Sequence, residues 1–152
     1  MSPPSSDIDY LILLYDVARL MRLRADQRAR LDGMTRAQWI ILTWLERQPG
    51  LSQNELAGLV EVEPITVGRL VDRLEARGFV ERRPDPSDRR VRRLHLKPAA
   101  QPILEKIHTY KHELNGVMME GIDPASLKQL ADSLFRMKAN LGEQSRDAAK
   151  AG

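Results

Sequence analysis

Apolar residues recur along the chain at two periods, and the changes of period divide it into elements. Ile8, Leu11, Ile12, Tyr15, Ala18 and Met21 are three and four residues apart, the spacing of one helical face. Asp7 precedes them as a fitting cap, and the pattern predicts a helix to about Leu31, ended by Asp32-Gly33. Thr35 suits the cap of a second helix, through Trp39, Ile40, Leu42, Thr43 and Leu45 to Arg47, where Pro49-Gly50 stops it. In LSQNELAGLV, Ser52 and Glu55 stand at capping-box spacing. Leu56, Leu59 and Val60 then face one way over a short helix ending around Val60-Glu61. Pro64 fits a first helical position, where its missing N–H costs nothing. Val67, Leu70, Val71 and Leu74 form the apolar stripe of this fourth helix, and Gly78 is its stop.

The period then shortens to two. FVERR and VRRLHL alternate, with Leu94 and Leu96 on one side and Arg93 and His95 on the other, around the turn PDPSD. That predicts a β-hairpin. Helical spacing returns from Pro98 with Leu104, Ile107, Leu114 and Met118, up to Gly121. Asp123-Pro124 caps a last helix with Leu127, Leu130, Ala131, Leu134 and Leu141 as its stripe. Gly142 is its expected stop, leaving EQSRDAAKAG as a loose tail; MSPPSS has nothing to pack and should fray. The fold class is mainly α with a small β-hairpin.

Composition narrows the function classes. A chain of 152 residues, 42% hydrophobic and 30% charged, fits one soluble globular domain. No apolar run approaches the roughly 18 residues of a membrane span. The opening MSPPSSD carries no basic start followed by a hydrophobic stretch, so a cytoplasmic location is expected. The absence of cysteine excludes disulfides, thiolate nucleophiles, cysteine zinc sites and thiol redox switches. There is no glycine-rich phosphate loop, no HExxH and no GxSxG, and three histidines offer little for acid–base work. The expectation is therefore not an enzyme, with no cofactor and no metal.

Charge changes the picture most. The chain has 24 Lys+Arg against 21 Asp+Glu, net +3. Residues 82–97 alone hold 7 basic and 2 acidic residues, leaving 17 basic and 19 acidic elsewhere. The positive charge is concentrated in the predicted hairpin. Short helix, turn, helix and hairpin is the order of a winged helix-turn-helix, whose second helix enters the DNA major groove while the wing reaches flanking backbone or minor groove. With the apolar stripe inward, the fourth helix turns out Thr66, Arg69, Arg73 and Arg77, beside Ile65 and Gly68. Arg69 or Arg73 could bond guanine O6 and N7, Thr66 a phosphate or base edge, and Ile65 a thymine methyl. Gly68 would permit close backbone approach. In the wing, Arg89 and Arg90 lie at the tip, and Arg92 and Arg93 flank the returning strand, within reach of phosphates. Asp88 is close enough to Arg90 to orient its guanidinium for a narrow minor groove. The plainer alternative is a set of solvated arginines.

From about Asp7 to Leu141 the chain resembles the MarR family of bacterial transcription regulators, and its SlyA-like branch most closely. The most specific piece is Asp88-Arg89-Arg90 followed by Leu96-Lys97, where the family pattern has Asp-x-Arg and then Leu-Thr; Lys97 replaces the threonine. RAQWIILTWL, LSQNELAGLV, EPITVGRLVDRLEARGFVERR and AAQPIL are similar too. The resemblance implies a single MarR-type domain over 1–152. Its parts would be dimerisation helices at 1–34 and 98–142, a winged helix-turn-helix at 35–97 and a flexible tail at 143–152. It implies a homodimer of triangular outline on double-stranded palindromic DNA. It carries DNA contact over to Pro64, Ile65, Thr66, Val67 and Arg69, less firmly to Arg73, and to the wing pair Asp88 and Arg90. It also implies release, usually of a repressor, by a small aromatic or phenolic anion or its CoA thioester. The pocket for that effector is expected around Met34, Trp39, Ile40 and Trp44, with first-helix arginines such as Arg19 pairing its charge; the plainer alternative is that Trp39 and Trp44 are core. Independently, the long terminal apolar stripes need a partner to cover them, and a two-fold dimer is the commonest solution. Two alternatives stand beside this reading: a winged-helix protein-interaction module, and a metal-responsive regulator using Glu105, His108 and His112, which share one helical face.

Overall fold

The computed structural model describes residues 8–60 and 62–150, of which 143–150 by backbone alone. The chain divides into two compact units, 1–107 and 108–152. The first holds α1 (Tyr10–Leu31), α2 (Arg36–Arg47), α3 (Gln53–Val60), α4 (Pro64–Ala76), β1 (Val80–Pro84) and β2 (Arg92–Leu96). A 3-10 turn, Pro98–Ala100, leads into α5 (Gln101–Met119), in which the division falls; α6 (Pro124–Lys150) completes the second unit.

The short helices start where side chains replace the missing turn. Thr35 accepts from the Gln38 backbone at 3.2 Å, and the Gln38 side chain accepts from the Thr35 backbone at 2.9 Å. Ser52 and Glu55 form the same reciprocal pair, at 3.1 and 3.3 Å. Pro64 opens α4 as expected. Gly78 follows its end at φ +75°, a backbone conformation costly for any residue with a Cβ. Lys97 precedes the 3-10 turn and makes no side-chain cap bond, as its replacement of threonine implies.

Three boundaries differ from the sequence reading. Asp7 lies outside the described residues; the cap of α1 is Asp9, whose carboxylate accepts from the Ile12 backbone at 3.1 Å. Pro98 opens the 3-10 turn rather than α5 itself. Gly142 does not stop α6, which continues to Lys150. A glycine inside a helix costs only about 1 kcal/mol relative to alanine, and the following residues include the good helix formers Glu143, Gln144, Ala148, Ala149 and Lys150. Residues 151–152 of the expected tail lie outside the described residues.

The core of the first unit is built by Ile41, Leu42 and Leu45 of α2, Leu56 of α3, Val67, Val71 and Leu74 of α4, Val80 and Leu94 of the hairpin, and Ile107 of α5, all fully buried. Each such side chain contributes about 1.5–3 kcal/mol on burial. Leu59, expected on the inward face of α3, is exposed instead. The hairpin is antiparallel, pairing Val80 with Leu96, Arg82 with Leu94 and Pro84 with Arg92. The loop between α2 and α3 adds to it: Gly50 donates to the Leu94 carbonyl at 2.9 Å, and Leu94 donates to the Leu51 carbonyl at 2.9 Å. Gly50 sits at φ +86°, with the His95 ring 3.4 Å from where a Cβ would lie. This fixes the root of the wing against the helices.

The long terminal helices contrast with that core. Of the α1 residues only Ala29 is buried, while Tyr10 through Tyr15, Val17, Leu20, Met21 and Leu23 are exposed. Along α6, Leu130, Leu134, Phe135, Met137 and Leu141 are exposed as well.

Candidate nucleic-acid interface

The outer face of α4 is set by the inward pull of its stripe. Val67, Val71 and Leu74 are buried and Leu70 half-buried, which turns Pro64, Ile65, Thr66, Arg69 and Arg73 into solvent. Arg69 and Arg73 have no carboxylate partner among the described residues. Ile65 is 68% exposed, a large apolar side chain with no fold-level reason to face water. Val67 departs from the resemblance: its side chain is 0% exposed and cannot touch DNA. Arg77 departs from the outward set too. Its guanidinium donates to the Gly33 carbonyl at 3.2 Å and lies 4.8 Å over the Phe79 ring, so it braces the end of α1. Gly68 faces α3: an added Cβ would lie 2.8 Å from the Gln53 amide nitrogen, which donates to the Pro64 carbonyl at 3.1 Å.

The wing tip is organised by a residue that the sequence marked only as part of a turn. Asp85 is buried, and one carboxylate oxygen accepts from the Ser87 hydroxyl at 2.6 Å, the Ser87 backbone at 2.7 Å and the Asp88 backbone at 3.3 Å. Its other oxygen accepts from Arg93 Nε at 2.7 Å. These bonds, that of Ser87 first and of Arg93 next, hold the Asp85 carboxyl well below the usual carboxylate range. Arg93 also donates to Glu55 at 3.0 Å and to the Gly50 carbonyl at 3.4 Å. Asp85 and then Glu55 raise its already high pKa, and Arg93 in turn lowers that of Glu55. Arg93 is therefore committed to acceptors within the fold, where the sequence reading had it free for phosphates.

Beyond this base the arginines are presented. Arg89 and Arg92 are exposed and have no carboxylate partner among the described residues. Arg90 has a side chain 92% exposed, and its Nε lies 3.3 Å from Asp88 Oδ1. The Arg90 backbone donates to the same oxygen at 3.0 Å. The expected orienting contact is thus present, and it aims the guanidinium while leaving its outer donors free.

The other predicted site residues are placed differently. Met34 and Trp39 are buried core residues. Trp44 is half-buried with the Arg47 guanidinium 5.8 Å from its ring centre. Arg19 is exposed and pairs with Asp16 of its own helix at 3.3 Å. Glu105, His108 and His112 do not form a metal set: among the described residues no group of three or more His, Cys, Asp or Glu side chains could hold an ion.

The geometry can be set against known proteins. A model of the MarR family matches residues 34–91, which carry α2 to β1 and the wing tip. The transcriptional regulator PA3341 is 32% identical, with 89% of this chain and 99% of its own covered and a TM-score of 0.78. The chain belongs to the MarR family. The transcriptional regulator SlyA is 28% identical over 90% of this chain and 96% of that one, at a TM-score of 0.79. MepR of S. aureus, solved as a DNA complex, is 23% identical over 89% of this chain and 99% of its own, with a TM-score of 0.75, and shows the shared fold. No helix among the described residues is long and apolar enough to cross a membrane.

Proposed function

We propose that this MarR-family protein is a sequence-specific DNA-binding regulator, acting as a homodimer on a palindromic operator and repressing transcription by occupying it. One observation carries the reading. Arg69, Arg73, Arg89 and Arg92 are exposed without carboxylate partners among the described residues, and Arg90 is presented on an orienting aspartate. Arginines left solvated on one helix face and one wing are poised to exchange water for phosphate and base edges. In the proposed division of labour, Arg69 and Arg73 reach guanines, Thr66 a phosphate or base edge, and Ile65 a thymine methyl. Arg90 enters the minor groove, and Arg89 and Arg92 neutralise flanking phosphates.

The uncovered apolar residues of α1 and α6 support the homodimer, since such surface in a soluble chain marks an association site. Two copies would place two α4 helices on half-sites about one DNA turn, roughly 34 Å, apart. Release by a small anionic aromatic or phenolic effector, or its CoA thioester, belongs to the same proposal. Its support is the family resemblance, together with Trp44, half-buried, and the exposed Arg19 of α1.

A gel shift on the DNA upstream of the protein's own gene, run across a salt series, tests the reading. Retarded duplex that is lost as salt rises, and lost in Arg90→Ala, supports it. Indifference to every duplex at low salt, or a monomer by light scattering, overturns it. Titration with aromatic acids and their CoA thioesters tests the effector: heat on mixing and loss of the shifted band are expected, and no heat for any of them removes it.

A further inference from the structure

The candidate interface has two parts, the outer face of α4 and the wing, and the guanidinium of Arg82 joins them. Arg82 sits in the middle of β1, opposite Leu94. Its Nη2 lies 2.7 Å from Asp72 Oδ1 and donates to the Gly68 carbonyl at 3.2 Å, and its Nη1 donates to Glu75 Oε1 at 3.3 Å. The Arg82 backbone N–H donates to the other Glu75 oxygen at 3.2 Å. Gly68, Asp72 and Glu75 are four and three residues apart, so one planar fork grips successive turns along a single side of α4. Its side chain is 19% exposed and faces two carboxylates, so its charge is already matched within the fold.

We propose that Arg82 is a positioning residue that fixes the wing tip relative to the groove-facing side of α4, and so sets the operator spacing the protein accepts. This rests on the DNA-binding reading above. A two-stranded hairpin alone is marginally stable and free to rock about its root. The second edge of this wing is held to α3 through Arg93 and Glu55. With Arg82 holding the first edge to α4, the wing cannot tilt towards or away from the helix that reads bases. The distance between major-groove and minor-groove contacts is then built in before DNA arrives, and a duplex with its A·T step displaced must be distorted to fit. A lysine would keep the charge and lose the planar fork, gathering its donors on one nitrogen that cannot span the three acceptors in the same geometry.

The absence of cysteine makes a direct test simple. Two cysteines introduced as Arg69→Cys and Arg89→Cys take spin labels, and the label-to-label distance is measured in full-length, DNA-free protein diluted with unlabelled chain. One narrow distribution is expected with Arg82 present. A broad one is expected with Arg82→Ala and with Asp72→Asn/Glu75→Gln, which leaves the arginine in place. Equal widths in all three backgrounds overturn the clamp, whatever happens on DNA. Should Arg82→Ala not fold, Arg82→Lys carries the same comparison.

The unlabelled proteins are then compared on an operator and on the same duplex with its flanking A·T step moved by one base pair. Preference for the true spacing is expected to exceed about tenfold in the wild type and to fall several-fold in Arg82→Ala. The slope of log affinity on log salt stays unchanged, since no phosphate contact is lost. An unchanged spacing preference, or a shallower salt slope, overturns the positioning role. A wild type with no duplex preference sinks the DNA-binding reading, and the distance measurement still decides the clamp.

Discussion

Arg93 and Arg90 lie three residues apart in the same basic stretch and have opposite fates. At the base of the wing, Arg93 is held between Asp85 and Glu55, and Arg82 between Asp72 and Glu75. At the tip, Arg90 keeps its side chain 92% exposed against a single aspartate, with Arg89 and Arg92 exposed beside it. The same residue type does structural work where carboxylates surround it and is available for a polyanion where they do not. Net charge along the sequence located the region; the position of the acidic partners divides it into scaffold and contact surface.

The sharpest way to break that contrast is to remove one arginine of each kind. Arg93→Ala should lower the thermal midpoint and abolish operator binding together, because Asp85 and Glu55 lose their shared cation and the wing root loosens; calorimetry beside a gel shift reads both. Arg90→Ala should weaken operator binding by more than about tenfold while leaving the thermal midpoint within a few degrees of wild type, as for an exposed surface change. Arg69→Ala should cost about 1–3 kcal/mol and relax specificity at one base-pair position, seen in a panel of single-substitution operators. Arg92→Ala should act more weakly and uniformly across sequences, reducing the salt slope by about one.

The smallest effect at neutral pH is the acid response of the wing loop at Asp85. Asp85 titrates below its ordinary 3.8 in the folded protein. Its stabilisation is therefore complete above the unfolded value and drains away as pH falls through the lower folded value. Thermal midpoints taken from pH 5 down to pH 2 should fall more steeply for wild type than for Asp85→Asn. Parallel curves would remove Asp85 from the acid response.

Much of the fold was legible because its cues are local. Thr35, Ser52 with Glu55, Pro64 and Gly78 each work through partners within four residues, so spacing alone reveals them. The Asp88–Arg90 pair was readable for the same reason. What spacing could not show were partners distant in sequence. Glu55 is 38 residues from Arg93, and Gly33 is 44 from Arg77, so spacing alone turns both arginines outward when they are braces. In the sequence Asp85 is an ordinary turn residue; only its burial sets it apart. Val67 was assigned to the core by its period and to the DNA face by resemblance, and its full burial decides for the period. Gly142 misled because a glycine ends a helix only where the chain takes a positive φ, and the sequence does not show which glycines do.

If the presented arginines, not the braced ones, hold a specific duplex, fluorescence anisotropy will show it on a palindromic duplex from the upstream region and a scrambled duplex of equal length, across salt, for wild type and Arg69→Ala/Arg90→Ala. The prediction is tight wild-type binding to the palindrome, far weaker binding to the scramble, and a double variant that stays folded and no longer tells the two apart. Equal wild-type affinity for both duplexes, or a folded double variant that discriminates as well as wild type, would contradict it.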